Sequence, residues 1–460
     1  MARSWKLAAG MVAWLGVTAA LQAQTPPPPV PIAPSGGGPI AFPQQPIGPM
    51  GPMGPMGGPW QPPAPGPGRG PGLGTPGAPG APGGGGDDPL QLDSKAIRQN
   101  AFGSEDGGDY RPIHNQLNIE YLVLWFKSHH HTVLSTNGDL NDPTPGAIGQ
   151  PGTSILHGNR TGPGSSSALR LTYTWWVVDP EIISLDTSFT IMEQRRLLFH
   201  AASNELGQPV ITRPFFNTVA NANDADPRAL PFIMRGTVND SFLTRMMGAE
   251  ANFKYNVTGR PCDEGLALML FSGPRWIRLD ERYQNRDFSQ DIPAGTGETR
   301  VFSDSITAFN EFIGGQVGGT LRWRWDRLSL DMTTKLAVGQ NFQTIKASGR
   351  TAQFNNIAGT ITTSNEGLYV QSTNSGNSHS QHITIVPEFD LNVGLFLTDN
   401  FRFSVGCGGF NMSNALRPSA ILDRRIEVQA PGIQTTNPAR RFQQTDFWAE
   451  WVSFGFEFMY

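Results

Sequence analysis

The last residues of the 460-residue chain alternate between apolar and other side chains. The apolar positions are Val452, Phe454, Phe456, Phe458 and Tyr460. Since neighbouring side chains of a strand point to opposite faces of its sheet, this pattern predicts a strand with one apolar face. A soluble β-sandwich is the alternative, but its last strand rarely ends on an aromatic residue with nothing after it. The pattern therefore favours a strand that presents its apolar face to lipid.

The same alternation recurs along the chain from about residue 110. It predicts strands near residues 119–125, 169–177, 183–191, 243–255, 265–279, 313–325, 328–338, 383–395, 401–407 and 452–460. We count about ten strands, and twelve remain possible if the longer connections contain another hairpin. No uncharged apolar run after residue 30 approaches the roughly 18 residues that a spanning helix needs.

The connections between these strands alternate in length. Short ones are predicted at residues 179–180, 258–264, 326–327 and 398–400, and long ones at 128–168, 193–241, 280–305, 341–381 and 413–445. Outer-membrane barrels have short periplasmic turns and long external loops on an even number of strands. The predicted fold is therefore all-β, a transmembrane antiparallel up-and-down barrel, with both mature termini in the periplasm.

The chain before the barrel has a different composition. Residues 1–23 are predicted to be a signal peptide, with Arg3 and Lys6 before an apolar stretch and small residues at the cleavage site. Residues 24–109 are rich in Pro and Gly and have few apolar side chains, so we expect a disordered linker that spans the periplasm or contacts the cell wall. Residues 110–460 form the predicted barrel domain, exported to the bacterial outer membrane.

Charged side chains lie on the polar sides of the predicted strands. On the lipid face near mid-membrane each would cost roughly 2–4 kcal/mol, so we expect them to line the lumen. The predicted lumen-lining residues are Arg170, Asp186, Glu250, Lys254, Arg322, Arg324, Asp331, Lys335, Glu388, Asp390, Arg402 and Glu457. Open aqueous pores belong to barrels of about 16 or more strands. Ten strands predict a narrow, weakly selective channel at most, or a lumen closed by ion pairs.

Several local motifs resemble the putative beta barrel porin-7 family, predicted outer-membrane proteins abundant in planctomycete bacteria. The matching segments include EYLVLWF (120–126), RLTYTWW (170–176), TRMMGAEANF (244–253), LAVGQNFQTIKASG (336–349) and the run from Val386 to Pro418. The sequence departs from the family pattern at Pro274-Arg275-Trp276 and at Cys407. The resemblance implies a barrel that covers about residues 117–460, and it carries no catalytic residues.

The predicted partners follow from the same features. The C-terminal strand resembles the signal that the barrel-assembly machinery recognises, and the apolar face implies contact with outer-membrane lipid. The net charge is −4 and no basic patch is present, which argues against nucleic acid. The oligomeric state is left open.

Residues with possible chemistry form no convincing site. Adjacent side chains of a strand face opposite sides, so His129, His130 and His131 cannot all bind one metal ion. Cys262 and Cys407 could form a disulfide in an oxidising periplasm, but Cys407 is predicted to face lipid. We expect no metal and no cofactor.

The sequence is compatible with three functions. The first is a porin-like narrow channel or a structural barrel of the outer membrane. The second is a surface binding or adhesion protein that uses the long external loops. The third, an outer-membrane hydrolase, would use residues of the Ser378–His382 segment, but proximity in sequence does not bring a nucleophile and a base together in space. We therefore predict that the protein is not an enzyme.

Overall fold

The structure is a computed structural model that describes residues 115–127, 132–158, 164–178, 181–260, 263–293, 297–428 and 436–460. The predicted signal peptide and linker lie outside these residues, and so do His129, His130, His131 and Cys262. The predictions for those segments are not tested by the structure.

Strands dominate the described chain. In chain order they are β1 Asn115–Phe126, β2 Ser135–Asn137, β3 Ser154–His157, β4 Ser165–Val178, β5 Ile183–Met192, β6 Arg195–Ala202, β7 Ile211–Asn217, β8 Ala222–Ala229, β9 Met234–Thr258, β10 Gly265–Asp291, β11 Glu298–Trp325, β12 Leu328–Asn355, β13 Thr360–Ser364, β14 Gly376–Thr398, β15 Phe401–Leu416, β16 Arg425–Ile426 and β17 Gln444–Met459. A helical turn, α1 Pro418–Ile421, precedes β16.

Ten of these strands form a closed antiparallel ring, which confirms the predicted barrel. The order around the ring is β1, β4, β5, β9, β10, β11, β12, β14, β15 and β17. The ring closes where β17 pairs with β1, from Gln116 opposite Met459 to Phe126 opposite Ala449. β6 and β13 pair with β9 and β12 outside the ring. Closure leaves the barrel wall without an unpaired edge.

The two ends of the barrel differ in their connections. At one end, named here the turn end, β11 joins β12 through Asp326 and Arg327, and β14 joins β15 through residues 399–400. Asn115 and Tyr460 also meet at the turn end through two backbone hydrogen bonds. The opposite end, named here the loop end, carries most of the remaining segments. Short and long connections are therefore segregated as the sequence predicted, except that β10 joins β11 at the loop end through residues 292–297 alone.

Several strands are longer than the sequence predicted. The expected loop 280–305 is mostly paired, because β10 continues to Asp291 and β11 begins at Glu298. Likewise, β12 continues to Asn355 through much of the expected loop 341–381, and the expected loop 193–241 contains β6, β7, β8 and the start of β9. The alternation of apolar side chains ends earlier because outward positions such as Arg282 and Arg286 are polar, although their backbones remain paired.

The outward face of the ring is apolar near the turn end. On β12 the series of exposed apolar side chains from Leu328 to Val338 matches the roughly 9–11 residues of a transmembrane strand, and Phe342 and Phe354 are exposed farther along. Exposed aromatic residues lie toward both margins of this belt: Trp323, Trp325 and Tyr460 at the turn end, and Trp125 and Trp448 on the other side. No helix of the described residues is long and apolar enough to cross a membrane.

The loop end contains a second, five-stranded sheet built from β16, β7, β2, β3 and β8. Apolar residues of this sheet and of the segments beside it pack with side chains of the barrel wall in one buried cluster. The wall contributes Tyr283, Ile306, Ala308, Ile345 and Leu416, and the inserted segments contribute Leu134, Phe215, Tyr369, Val370, Ile421, Leu422 and Ile426. We call these inserted segments the cap. The cap is therefore folded against the inner wall of the extended strands.

Candidate functional site: the barrel interior

The inner face nearest the turn end carries a network of buried ion pairs. Arg322 on β11 donates two hydrogen bonds of 2.9 Å to the carboxylate of Asp331 on β12. Arg402 on β15 donates to Asp331 at 2.8 Å and to Glu457 on β17 at 2.6 Å. Its Nε donates to Ser329 at 2.8 Å. The strict alternation of these strands places all of these groups on the same side of the sheet.

Three further predicted lumen residues lie in the same part of the barrel. Lys254 on β9 forms an ion pair with Asp186 on β5. The guanidinium of Arg324 lies over the ring of Phe396 at 4.0 Å and donates to the backbone oxygen of Asp326. Arg324 therefore sits at the turn-end mouth of the barrel.

A second network lies farther from the turn end. Glu388 on β14 pairs with Arg275 on β10 and with Lys335 on β12, the latter at 3.2 Å. Lys335 also pairs with Glu250 on β9 at 2.7 Å, and Gln316 donates to the same carboxylate at 2.9 Å. These carboxylates and cations are nearly inaccessible to solvent.

Arg170 on β4 completes the second network from the opposite wall. Its guanidinium lies 3.4 Å from Asp390, 3.7 Å from Glu388 and 3.7 Å from Glu120. The guanidinium also lies over the indole ring of Trp451 at 5.0 Å, and the indole nitrogen donates to Asp390 at 3.0 Å. The network therefore has three cations, Arg170, Arg275 and Lys335, among four carboxylates, Glu120, Glu250, Glu388 and Asp390.

Both networks cross the lumen. β4 and β14 are four places apart in the ring of ten, yet Arg170 reaches Asp390. β11 and β17 are also four places apart, and Arg322 lies 3.4 Å from Glu457. The cavity beside the second network measures about 50 Å³, which is room for little more than water. Salt bridges therefore join nearly opposite walls of the barrel within both networks.

An apolar layer lies next to the second network on the loop-end side. It is a buried cluster of side chains from the inner face of the ring: Leu122, Leu124, Phe126, Ala168, Met192, Met246, Ile277, Leu279, Phe312, Ala337, Val386, Phe410, Met412, Ala415, Phe447, Ala449 and Trp451. An apolar layer of this kind excludes hydrated ions because an unpaired ion loses its hydration there.

Sequence reasoning missed some residues that build this interior. Glu120 occupies a polar position between Ile119 and Tyr121 in the first predicted strand, so the alternation could have identified it. Two inward glycines left no such signal. A Cβ on Gly394 would lie 2.0 Å from Nε of Arg402, and a Cβ on Gly408 would lie 2.6 Å from a carboxylate oxygen of Asp390. These glycines leave room for the ion pairs.

A third charged cluster lies at the loop end, where the cap meets the barrel wall. Arg213 on β7 donates to both carboxylate oxygens of Asp287 on β10, at 2.8 and 2.6 Å. It also donates at 3.0 Å to Asp240 on β9. Arg228 donates to Asp287 at 3.0 Å, and His157 lies 2.8 Å from Asp240. The sequence did not reveal this cluster, because Arg213 falls in an expected loop.

The electrostatics of this third cluster follow from burial and pairing. Burial alone would raise the pKa of Asp240, but the charge of Arg213 and hydrogen bonds from His157 and Arg213 lower that pKa to about 2. The phenol of Tyr283 donates to Asp240 at 3.0 Å. Burial raises the pKa of this phenol, and the negative charge of Asp240 raises it further. Asp240 is thus held as an anion inside the folded cap.

Among the described residues, the histidines considered for a hydrolase contact amide and hydroxyl groups. Ser380 Oγ lies 2.9 Å from Nε2 of His382, and the same nitrogen lies 2.7 Å from the amide of Gln444. His379 contacts Thr344 instead. In the described part of the chain, no group of three or more His, Cys, Asp or Glu side chains could hold a metal ion.

Comparisons with known proteins agree with the barrel architecture. The family model described as putative beta barrel porin-7 matches residues 117–460. A search of curated protein sequences finds no match.

Solved structures of barrels show only distant likeness. The outer-membrane protease OmpT of Escherichia coli is 10% identical, with a TM-score of 0.36, over 78% of this chain and 100% of that protein. The Pseudomonas putida toluene transporter TodX is 8% identical, with a TM-score of 0.18, over 76% and 91%. A FadL homologue of Pseudomonas aeruginosa is 8% identical, with a TM-score of 0.17, over 75% and 89%.

Proposed function

The chain belongs to the putative beta barrel porin-7 family, and we propose that its barrel is a closed structural element of the bacterial outer membrane. The observation that carries this proposal is the filled interior. Ion pairs such as Arg170–Asp390 and Arg322–Glu457 join nearly opposite walls, and an apolar layer follows them. An ion passing through would have to break several buried pairs and then shed its hydration.

Conductance across planar lipid bilayers tests closure. We expect the purified full-length protein to insert without stable current steps. A variant that combines Lys335→Ala, Glu388→Ala, Arg402→Ala and Glu457→Ala removes side chains from both networks and should give brief openings, which would show that inserted barrels are detected. Arg324→Ala, at the mouth and outside these networks, is the matched control and should stay closed.

The outcome that overturns closure is a stable ion current through the wild-type protein. The narrow, weakly selective channel would then be the better description of the barrel. Gel mobility of boiled and unboiled samples shows whether each variant has folded into a barrel, so a missing current cannot be mistaken for a misfolded protein.

We also propose that the turn end faces the periplasm and the cap lies outside the cell. Asn115 and Tyr460 meet at the turn end, and the longer segments lie at the other end, as in outer-membrane barrels. The apolar belt would contact lipid, and the alternating terminal strand would be recognised by the barrel-assembly machinery. We also propose a non-enzymatic role, since in the described residues His382 is hydrogen-bonded to Ser380 and to the side-chain amide of Gln444.

Labelling of intact cells tests this orientation. In a background with both native cysteines replaced by Ser, we expect Ile357→Cys, at the exposed loop end, to react with a membrane-impermeant maleimide. Arg327→Cys, in a turn at the opposite end, should react only after the outer membrane is permeabilised. The reverse pattern would contradict the proposed orientation.

A further inference from the structure

A pocket of about 460 Å³ opens at the loop end, away from the closed interior. It lies between the segment that includes α1 and the start of β16, the end of β7, and the residues that lead into β17. The lining residues are Thr132, Phe216, Ser419, Ala420, Leu422, Asp423, Arg424, Arg425, Arg441, Gln443 and Thr445. Its volume falls within the roughly 300–1,000 Å³ of small-molecule sites.

The charged lining of this pocket is mostly positive. Arg424, Arg425 and Arg441 face a single acidic residue of the described lining, Asp423. Arg425 donates to that carboxylate at 2.9 Å, and Arg441 lies 3.2 Å from it. Burial would raise the pKa of Asp423, but the hydrogen bonds from Arg425 and the charge of Arg441 lower it. One carboxylate therefore serves two of the three guanidinium groups.

Arg424 is the guanidinium that remains. Its backbone oxygen accepts a hydrogen bond of 2.8 Å from the amide of Phe216, which fixes the chain at this point. Its Nη1 is buried and finds no hydrogen-bond partner among the described residues. Burial lowers the pKa of Arg424, and the nearby Tyr369 and Asp423 offset this only in part.

A second polar atom of a lining residue is also buried without a hydrogen-bond partner among the described residues. Oγ1 of Thr445, just inside β17, is buried and has no hydrogen-bond partner in the described part of the chain. Buried polar atoms without partners are uncommon in folded proteins and cost roughly 1–3 kcal/mol each. Both residues line the pocket, so a side-chain rotation of either one would present this unused hydrogen-bonding capacity to an oxygen-rich ligand.

We propose that this pocket binds a small organic anion, whose oxyanion group is held by Arg424 and Thr445. Guanidinium groups match carboxylate, phosphate and sulfate geometry, and such charge-assisted hydrogen bonds are among the strongest in proteins. Phe216 and Leu422 provide an apolar wall for the body of the ligand. This site is independent of the closure of the barrel, and it supplies a specific form of the surface-binding hypothesis.

Calorimetry on the folded, detergent-solubilised full-length protein tests the site. The probes are inorganic phosphate, inorganic sulfate and phenyl phosphate, at constant ionic strength set with chloride. We expect phenyl phosphate to bind and to outcompete inorganic phosphate, because only the former contacts the apolar wall. Arg424→Gln should weaken binding by about tenfold or more, and Thr445→Val by a smaller factor.

Arg350→Gln is the matched control, since Arg350 is an exposed arginine outside the pocket, and it should leave binding unchanged. If Arg424→Gln does not reach the folded gel mobility, Thr445→Val and Arg441→Gln carry the test instead. Absence of binding by all three probes, or equal binding by wild type and the pocket variants, overturns the proposal. Tighter binding of inorganic phosphate than of phenyl phosphate would contradict the organic ligand. Neither result bears on conductance.

Discussion

Two buried charge networks of this barrel differ in what they join. The turn-end network around Asp331 and Glu457 connects strands of the ring to one another across the lumen. The cluster around Arg213 connects the inserted strand β7 to the wall strands β9 and β10. The first therefore closes the barrel, whereas the second attaches the cap to it.

The two networks also differ in their redundancy. In the turn-end part of the lumen, Asp331 and Glu457 each contact both Arg322 and Arg402, so each carboxylate keeps a partner if one arginine is lost. At the loop end, Arg213 is the arginine that reaches Asp240, and its side chain is 0% exposed. In the turn-end network each carboxylate is thus shared by two arginines, whereas Asp240 pairs with one arginine and has His157 and Tyr283 as its other side-chain partners.

Arg213→Ala should produce the largest effect. It leaves Asp287 with Arg228, and it removes the arginine that pairs with Asp240. Breaking a buried pair in this way costs about 3–5 kcal/mol. Arg402→Ala should cost less, about 1–3 kcal/mol, because Arg322 remains. The measurement is the urea concentration at which trypsin begins to cleave the cap, compared with the urea concentration at which the barrel loses its folded gel mobility.

We expect Arg213→Ala to lower the urea concentration at which the cap is cleaved and to leave the urea concentration for loss of gel mobility nearly unchanged. Arg402→Ala should instead lower the urea concentration for loss of gel mobility. Arg235→Ala is the control, because Arg235 forms a partly exposed pair with Glu205 that is worth about 1 kcal/mol or less. Equal shifts of both midpoints by either main variant would mean that the cap and the barrel unfold as one unit.

The lumen network was accessible to sequence reasoning because lipid imposes a period of two. Arg402, between Phe401 and Phe403, and Glu457, between Phe456 and Phe458, can only point inward if their neighbours face lipid. The same rule would have placed Glu120. The alternation could not predict which charged residues form ion pairs with one another. Arg402 and Glu457, for example, meet because β15 pairs with β17.

The cap cluster was not accessible in the same way. Arg213, Asp240 and Asp287 come from segments beyond the outward apolar belt, and their neighbours show no sustained alternation of apolar side chains. Their contact depends on how β7 packs under the extended strands β9 and β10, which no local pattern encodes. The pocket around Arg424 was missed for the same reason. The alternation of apolar residues therefore identifies inward side chains in the strands of the apolar belt, and it gives no such information for the cap.

A smaller effect should appear in the cap cluster as the pH falls. The pKa of Asp240 is lowered from 3.8 to about 2 in the folded cap, so the folded state favours its charged form. The resulting stability is fully present above pH 3.8 and is lost as the pH falls through about 2. Its size is about 2 kcal/mol by linkage.

Pepsin cleavage of the cap between about pH 5 and pH 2 measures this loss. Wild type should become more susceptible as the pH falls, whereas Asp240→Asn, which carries no titrating carboxyl, should already be weaker at pH 5 and change less. Burial raises the pKa of nearby Asp304, which opposes the trend, but Asp304 is present in both proteins and cancels in their difference. Parallel pH profiles for the two proteins would mean that Asp240 does not supply the acid sensitivity of the cap.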